Sequence, residues 1–434
     1  MEKAGKEFWS LGQNKASFVF FYLLILFLPT QLGKHFFGQF SFIYGLRIDY
    51  LSPTLFLTDI LIFLIFIFSI KSILKILLKK HKKNILYFIF FVLFLLIGIV
   101  VSKNPASGIM GGIKLLEFIY LGLFIYQNYE KLNKKIIMSF LGFGIIFESL
   151  LSLAQYFNQG SFQGILYFLG ERSFNQQTPG IANASINGEL ILRPYGTFSH
   201  PNVLGGFLAL SSIFILSFKK LFNKYFLMFV LVSSTIGILI SLSRTAITTW
   251  LTFLLIYFVI VIVRKYKKLK INLSFLKNNL SVFLILLIFL IVLLNPIFLE
   301  RFTLLNFSDE SVTQRADLIN SSLNMFSKNP VFGVGINNFL NNLEPNFNSP
   351  ILIQPVHNIF LLTLSQTGII GFWILVYLFF KAFKVSTVSK DRKLTGLSII
   401  FSIIFLGLFD HYLFSIQQTQ ILFTILISYS LLKE

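Results

Sequence analysis

The chain has 434 residues, of which 55% are hydrophobic and only 12% charged, with a net charge of +20 and no cysteine. Such a composition cannot clothe an ordinary water-soluble surface, and the missing thiols exclude disulfides, zinc–thiolate sites and cysteine nucleophiles. The basic residues form short runs beside apolar stretches rather than one patch, so anionic phospholipids, not nucleic acid, are the expected partners of the positive charge.

Stretches long enough to cross about 30 Å of hydrocarbon as helices are predicted at 16–32, 54–76, 84–101, 109–127, 135–157, 202–218, 224–241, 244–263, 280–299, 357–380, 395–411 and 413–432. The expected fold is therefore an all-α polytopic membrane protein with about 12 transmembrane helices. The first stretch is followed by Lys34 rather than a small-residue cleavage site and reads as a retained helix. If the connections alternate sides, one set holds 27 of the 37 basic residues, which makes that side cytoplasmic and puts both termini there. Domain by domain, 1–157 carries helices one to five, 158–201 an outer loop, 202–299 helices six to nine, 300–356 a larger outer loop, and 357–434 helices ten to twelve.

The two long loops are the expected seat of function. The first holds a short amphipathic run, Phe162 and Ile165 to Leu169, suited to the membrane interface. The second is predicted to form a helix from Gln314-Arg315 onward, with Ile319, Leu323 and Phe326 on one face. Gly333 and Gly335 then permit a close-packed turn.

His357 follows Pro355 at the outer start of a helix, where unpaired N–H groups and the positive helix end favour an anion. From it Leu361, Leu364, Gly368 and Gly371 are spaced to share a face on which another helix can approach. Arg244 sits where the charge bias disfavours an arginine, and it, Arg193 and Arg315 are candidate clamps for a phosphate or pyrophosphate. Snorkelling or an ordinary salt bridge is the plain alternative for each. His200, before Pro201-Asn202, reads first as a helix cap. Asp410-His411 reads as an acidic site or a polar turn. The spans are nearly free of charge except Glu117 and Glu148. No nucleotide-binding loop, zinc-protease or serine-hydrolase motif is present.

Four motifs in order resemble the O-antigen ligase and polymerase superfamily of bacterial membrane glycosyltransferases. They are Gly196-Thr197-Phe198-x-His200-Pro201-Asn202-x-Leu204-Gly205-Gly206, Ser241-x-Ser243-Arg244, Arg315 with Asn329-Pro330-x-x-Gly333-x-Gly335, and His357-Asn358-x-x-Leu361-x-x-Leu364-x-x-x-Gly368-x-x-Gly371. The resemblance implies a GT-C-like enzyme of the bacterial plasma membrane, active on the periplasmic or extracellular side. Its donor would be a glycan on undecaprenyl pyrophosphate and its acceptor a lipid or glycan hydroxyl, with no metal or other cofactor. Arg244 and Arg315 would bind the pyrophosphate, and His357 would act as general base or orient the acceptor. Arg193, His200, Asn358 and Asp410 are the accompanying substrate-binding candidates. Gln366 stands where many members carry a glutamate, so no carboxylate role is expected there. Polymerase chemistry is the alternative within the superfamily, and a twelve-span transporter or lipid-linked glycan flippase, or a scaffold, the alternatives outside it.

Overall fold

Runs of Leu, Ile and Phe broken by asparagine, proline and lysine set the positions of the helices. The computed structural model describes residues 15–80, 82–186, 188–266, 310–344, 353–389 and 392–432. The helices are α1 (Lys15–Leu26), α2 (Leu57–Lys80), α3 (Lys82–Val100), α4 (Pro105–Asn128), α5 (Lys134–Asn158), α6 (Pro201–Ser217), α7 (Lys224–Ile240), α8 (Arg244–Tyr266), α9 (Glu310–Lys328), α10 (Ile359–Val388), α11 (Lys393–Phe409), α12 (Tyr412–Ser415) and α13 (Gln417–Ser430). A helix lies at each expected span but the ninth, whose residues 280–299 lie outside the described residues. The expected twelfth span is broken in two, into α12 and α13.

Among the described residues, four helices, in α2, α4, α5 and α10, are long and apolar enough to cross a membrane, and six shorter helices are apolar. Large apolar side chains such as Phe63, Phe88, Trp373 and Phe380 stand exposed on their outward faces, as a lipid-facing surface requires. The starts are chemically defined: the side chains of Asn104, Asn133, Asn223 and Asn358 accept from the first N–H groups of α4, α5, α7 and α10.

At the centre stands α6, whose residues from Val203 to Leu216 are buried on every side. A helix apolar all round belongs inside a bundle, and α5, α7, α8, α11 and α13 all pack against it. Gly205 faces Ser241 and Ala246, and a Cβ on Gly206 would overlap the Tyr412 hydroxyl. The paired glycines are thus a packing requirement of the central helix.

The membrane helices meet the all-α expectation, but among the described residues the connections add three antiparallel strand pairs: β1 (Gly33–His35) with β4 (Thr54–Phe56), β2 (Phe42–Ile43) with β3 (Leu46–Arg47), and β5 (Asn183–Ile186) with β6 (Glu189–Leu192). The run around Ile165 forms a 3₁₀ helix, Gly164–Leu169, with Ile165, Tyr167 and Phe168 exposed. On α9 the buried face is Leu318, Ser322 and Met325, whereas Ile319 and Leu323 are exposed. The Ser322 hydroxyl donates to Leu361 O at 2.9 Å, and the apolar contacts inward are made by Leu318 and Met325 rather than by Ile319 and Leu323.

The glycine motif of α10 also works otherwise than expected. Gly368 has φ 63° and ψ −164°, a break in the helix, so no continuous face runs from His357 to Gly371. Into the break fits the loop after α9: Val334 N donates to Ser365 O (2.9 Å), Gly335 N to Gln366 O (3.0 Å), and Ile369 N to Pro330 O (2.9 Å). Gly333, Gly335 and Gly368 all hold positive φ, a conformation open to glycine without strain. A loop, not a second helix, makes the close approach.

Candidate functional site

Three connections converge at one end of the bundle: the segment before α6, the start of α10, and the bend between α11 and α12. The α10 helix begins at Ile359, and Asn358 caps it, accepting from Phe360 N and Leu361 N while its Nδ2 donates to Leu408 O at 3.1 Å. The cap occupies the N–H groups expected to meet an anion, and Asn358 is fully engaged in tying α10 to the end of α11. His357, the residue before it, is thereby held with Nδ1 3.4 Å from Asp410 Oδ1, and its ring centroid is 5.0 Å from that of His411.

Asp410 is the anion at the centre. Oδ1 also accepts from His411 N (2.8 Å) and Oδ2 from Asn202 Nδ2 (3.1 Å). Burial pushes its carboxyl up, but the His357 ring 3.4 Å away, with His411 and His200 beyond, outweighs burial and holds it below the usual carboxylate range. His411 is buried, its Nδ1 is 2.6 Å from Ser415 Oγ, and burial pushes it down to about 4 despite the nearby carboxylate. Tyr50, from the first outer connection, meets the His411 ring edge to face at 5.7 Å. Burial and the Asp410 charge push its phenol up to about 12.

Arg193 continues the chain of contacts. A terminal nitrogen donates to Asn202 Oδ1 (2.7 Å) and Nε to Ser241 O (2.9 Å). His200 caps α6, its Nδ1 accepting from Asn202 N at 3.1 Å, and burial, then Arg193, push it down to about 3. Two buried carboxylates and a glutamine hold this segment. Glu148 accepts from Thr197 N (2.9 Å) and Oγ1 (2.7 Å). Gln155 Oε1 accepts from Tyr195 N and Gly196 N, and Gln155 Nε2 donates to Glu171 Oε1.

Of the seven candidates, then, Arg193, His200, His357, Asn358 and Asp410 come together. Arg244 begins α8, half-buried, just past the turn where Arg193 meets Ser241 and where Leu242 takes φ 50°. Arg315 is exposed, one turn before Leu318, which shares a core cluster with Val356 beside His357. Sequence reasoning left out Tyr50, in the connection between the first two spans, and gave His411 and Asn202 no role of their own.

His357, Asp410 and His411 each offer one ligand atom, all within 4.8 Å of one another, so these three can hold a metal ion. Their present partners already take Asp410 Oδ2 and His411 Nδ1. Beside them opens a cavity of about 1160 Å³ whose lining includes Tyr50, Ser199 and Pro355 near the site and Phe118, Leu375 and Phe423 deeper among the helices.

Fold and site together define a helical membrane protein with a histidine–carboxylate centre at one end of its bundle. Residues 226–376 match the family described as O-antigen ligase. That match covers about a third of the chain, so it is this stretch, and not the whole protein, that is similar to the O-antigen ligase family. It spans Arg244, Arg315, His357 and Asn358, while Arg193, His200 and Asp410 lie beyond it. No curated protein matches the chain.

Proposed function

We propose that the protein transfers a glycan from undecaprenyl pyrophosphate to an acceptor hydroxyl on the outer side of the bacterial plasma membrane, as an O-antigen ligase does. The observation that carries this reading is the placement of His357 against Asp410, linked through Asn202 to Arg193, with the sequence neighbours Pro355 and Ser199 lining a largely apolar cavity.

With Nδ1 turned to the carboxylate, Nε2 is the ring nitrogen left to meet a substrate. The acceptor oxygen attacks the anomeric carbon, its proton passes to His357, and the bond from that carbon to the phosphate oxygen breaks with the electron pair leaving on the pyrophosphate. Asp410 stabilises the imidazolium so formed. Arg244 and Arg315 meet the charge that grows on the leaving group, where fixed cations act most strongly. The apolar cavity suits the isoprenoid chain of the donor, and the basic helix ends on the opposite side suit anionic phospholipids.

The polymerase alternative differs only in its acceptor, a second lipid-linked glycan. A flippase reading draws on the polar groups in the cavity wall, and the family match over 226–376 favours the transferase. The test is to incubate the purified protein in lipid with an undecaprenyl-pyrophosphate-linked glycan and membrane extract, without nucleotide. Release of undecaprenyl pyrophosphate with a new glycoconjugate is expected, and a ladder of longer lipid-linked chains would instead assign the polymerase. Translocation of the intact donor with no release would overturn the reading.

A further inference from the structure

Three ionisable groups lie within the helices, away from the site: Asp59 near the start of α2, and Lys114 and Glu117 in α4. Hydropathy alone drew attention only to Glu117. Lys114 Nζ lies 2.6 Å from Asp59 Oδ1 and 3.4 Å from Glu117 Oε2. Charges placed among apolar helices are costly, and where they persist they have a function. Here both ends of one side chain are in their grip. Lys114 Nζ donates to Gln417 Oε1 at 3.2 Å, while Gln417 Nε2 donates to Thr58 Oγ1 at 3.2 Å and to Asp59 Oδ1.

Gln417 is the first residue of α13, and what precedes it is the broken segment that carries the site. Ile416 is extended (φ −114°, ψ 125°) and separates α13 from α12. The first turn of α13 holds α12 through Thr419 Oγ1 to Tyr412 O (2.5 Å) and Gln420 Nε2 to Phe414 O (2.7 Å). Ser415, which ends α12, binds the ring of His411, and His411 N binds Asp410. Lys114 and Gln417 also face the cavity, as do Phe414 and Ser415. The path from the charged cluster to the site is thus a short run of hydrogen-bonded chain.

We infer that Asp59 and Lys114 are positioning residues: they clamp the amide of Gln417 and so fix the α12–α13 break that sets the places of His411 and Asp410. This rests on the transferase reading only for its effect on turnover; its effect on His411 is independent of any activity.

The test uses the full chain in lipid nanodiscs with Lys114→Met, Lys114→Arg and Gln417→Leu. Gln417→Leu removes the clamp yet leaves Lys114 paired with Asp59, so it decides the matter if Lys114→Met does not fold. Carbethoxylation of His411 by diethyl pyrocarbonate, read by peptide mass spectrometry, is expected to be slow in the wild type, several-fold faster in Gln417→Leu and Lys114→Met, and slow again in Lys114→Arg. With donor and acceptor supplied, kcat is expected to fall about 10- to 100-fold with the donor KM unchanged. An unchanged His411 rate in folded Gln417→Leu protein overturns the inference. A faster His411 rate, with no transfer even in the wild type, upholds the clamp and sinks the transferase reading instead.

Discussion

His357 Nδ1 stands 3.4 Å from Asp410 Oδ1 although the two residues belong to separate helix ends, and Asn358 locks that juxtaposition by capping α10 and bonding Leu408 O on α11. A carboxylate so placed orients the ring. His357→Ala and Asp410→Asn are each expected to lower glycan release about 10²- to 10⁴-fold. The combined variant should be little worse than either one, because the pair acts as a unit. Full activity in the double variant would remove His357 and Asp410 from the mechanism.

Arg193 is linked to Asp410 through Asn202, with one nitrogen on Asn202 Oδ1 and another on Ser241 O. A lysine cannot make both bonds in this fork geometry. Arg193→Lys is therefore expected to lose about 10-fold or more in kcat, in keeping with about 1.5–3 kcal/mol for a hydrogen bond to a charged group. Asn202→Ala should lose a similar amount, and the two losses should not add. Additive losses in a double-mutant cycle would show that Arg193 acts on the substrate by a separate route.

Gly368 breaks α10 so that the loop through Gly333 can enter, and a Cβ there would overlap Val331 O at a φ of 63°. Gly368→Ala is expected to destabilise the protein by roughly 1–3 kcal/mol from backbone strain alone, with more from the clash. The melting temperature in detergent checks this. At Gly371 the would-be Cβ overlaps Thr367 Oγ1 and also Thr367 Cβ, an atom no rotamer change can move, so alanine there is expected to lower the melting temperature as well.

The helix positions were legible because apolar length and asparagine or proline starts are local signals, and the structure puts a helix at each described span. The site was legible in part. His357, Arg193 and Asp410 announce themselves as polar residues where the chain is otherwise apolar, but which of them touch depends on how 193–202 and 408–411 fold back on each other, which no spacing encodes. Tyr50 escaped notice because the connection it lies in, between the first two spans, carries no motif, and the Gly368 break because its pattern is also that of a helix crossing. On α9, Ile319 and Leu323 were expected to share an apolar face, yet Leu318 and Met325, with Ser322 between them, are the residues that pack inward.

His357, Asp410 and His411 can approach a metal, yet Asn202, Ser415 and the His411 amide already satisfy two of the three groups. Transfer is expected to continue unchanged after exhaustive treatment with a chelator. A rate lost to the chelator and restored by zinc would assign these residues to a metal centre and change the mechanism.

Protonation of His411 gives the last test. Its ring lies in the bend outside the helices, and burial holds it at about 4, below the ordinary value of about 6.5. The folded protein therefore keeps it neutral where the unfolded chain would already bind a proton. As pH falls below about 6.5 the unfolded state takes up that proton first, so stability declines steadily down to about pH 4 and levels off below it. The loss from this group is about 3 kcal/mol, at roughly 1.4 kcal/mol for each pH unit that separates the folded and unfolded values. His200, pushed down to about 3, contributes with the same sign. Melting temperatures between pH 7.5 and 4.5 are expected to fall, and to fall less steeply in His411→Gln, whose side chain keeps a partner for Ser415 but takes no proton. An identical slope in that variant would show that His411 is already exposed to solvent and is not the buried neutral ring that the site requires.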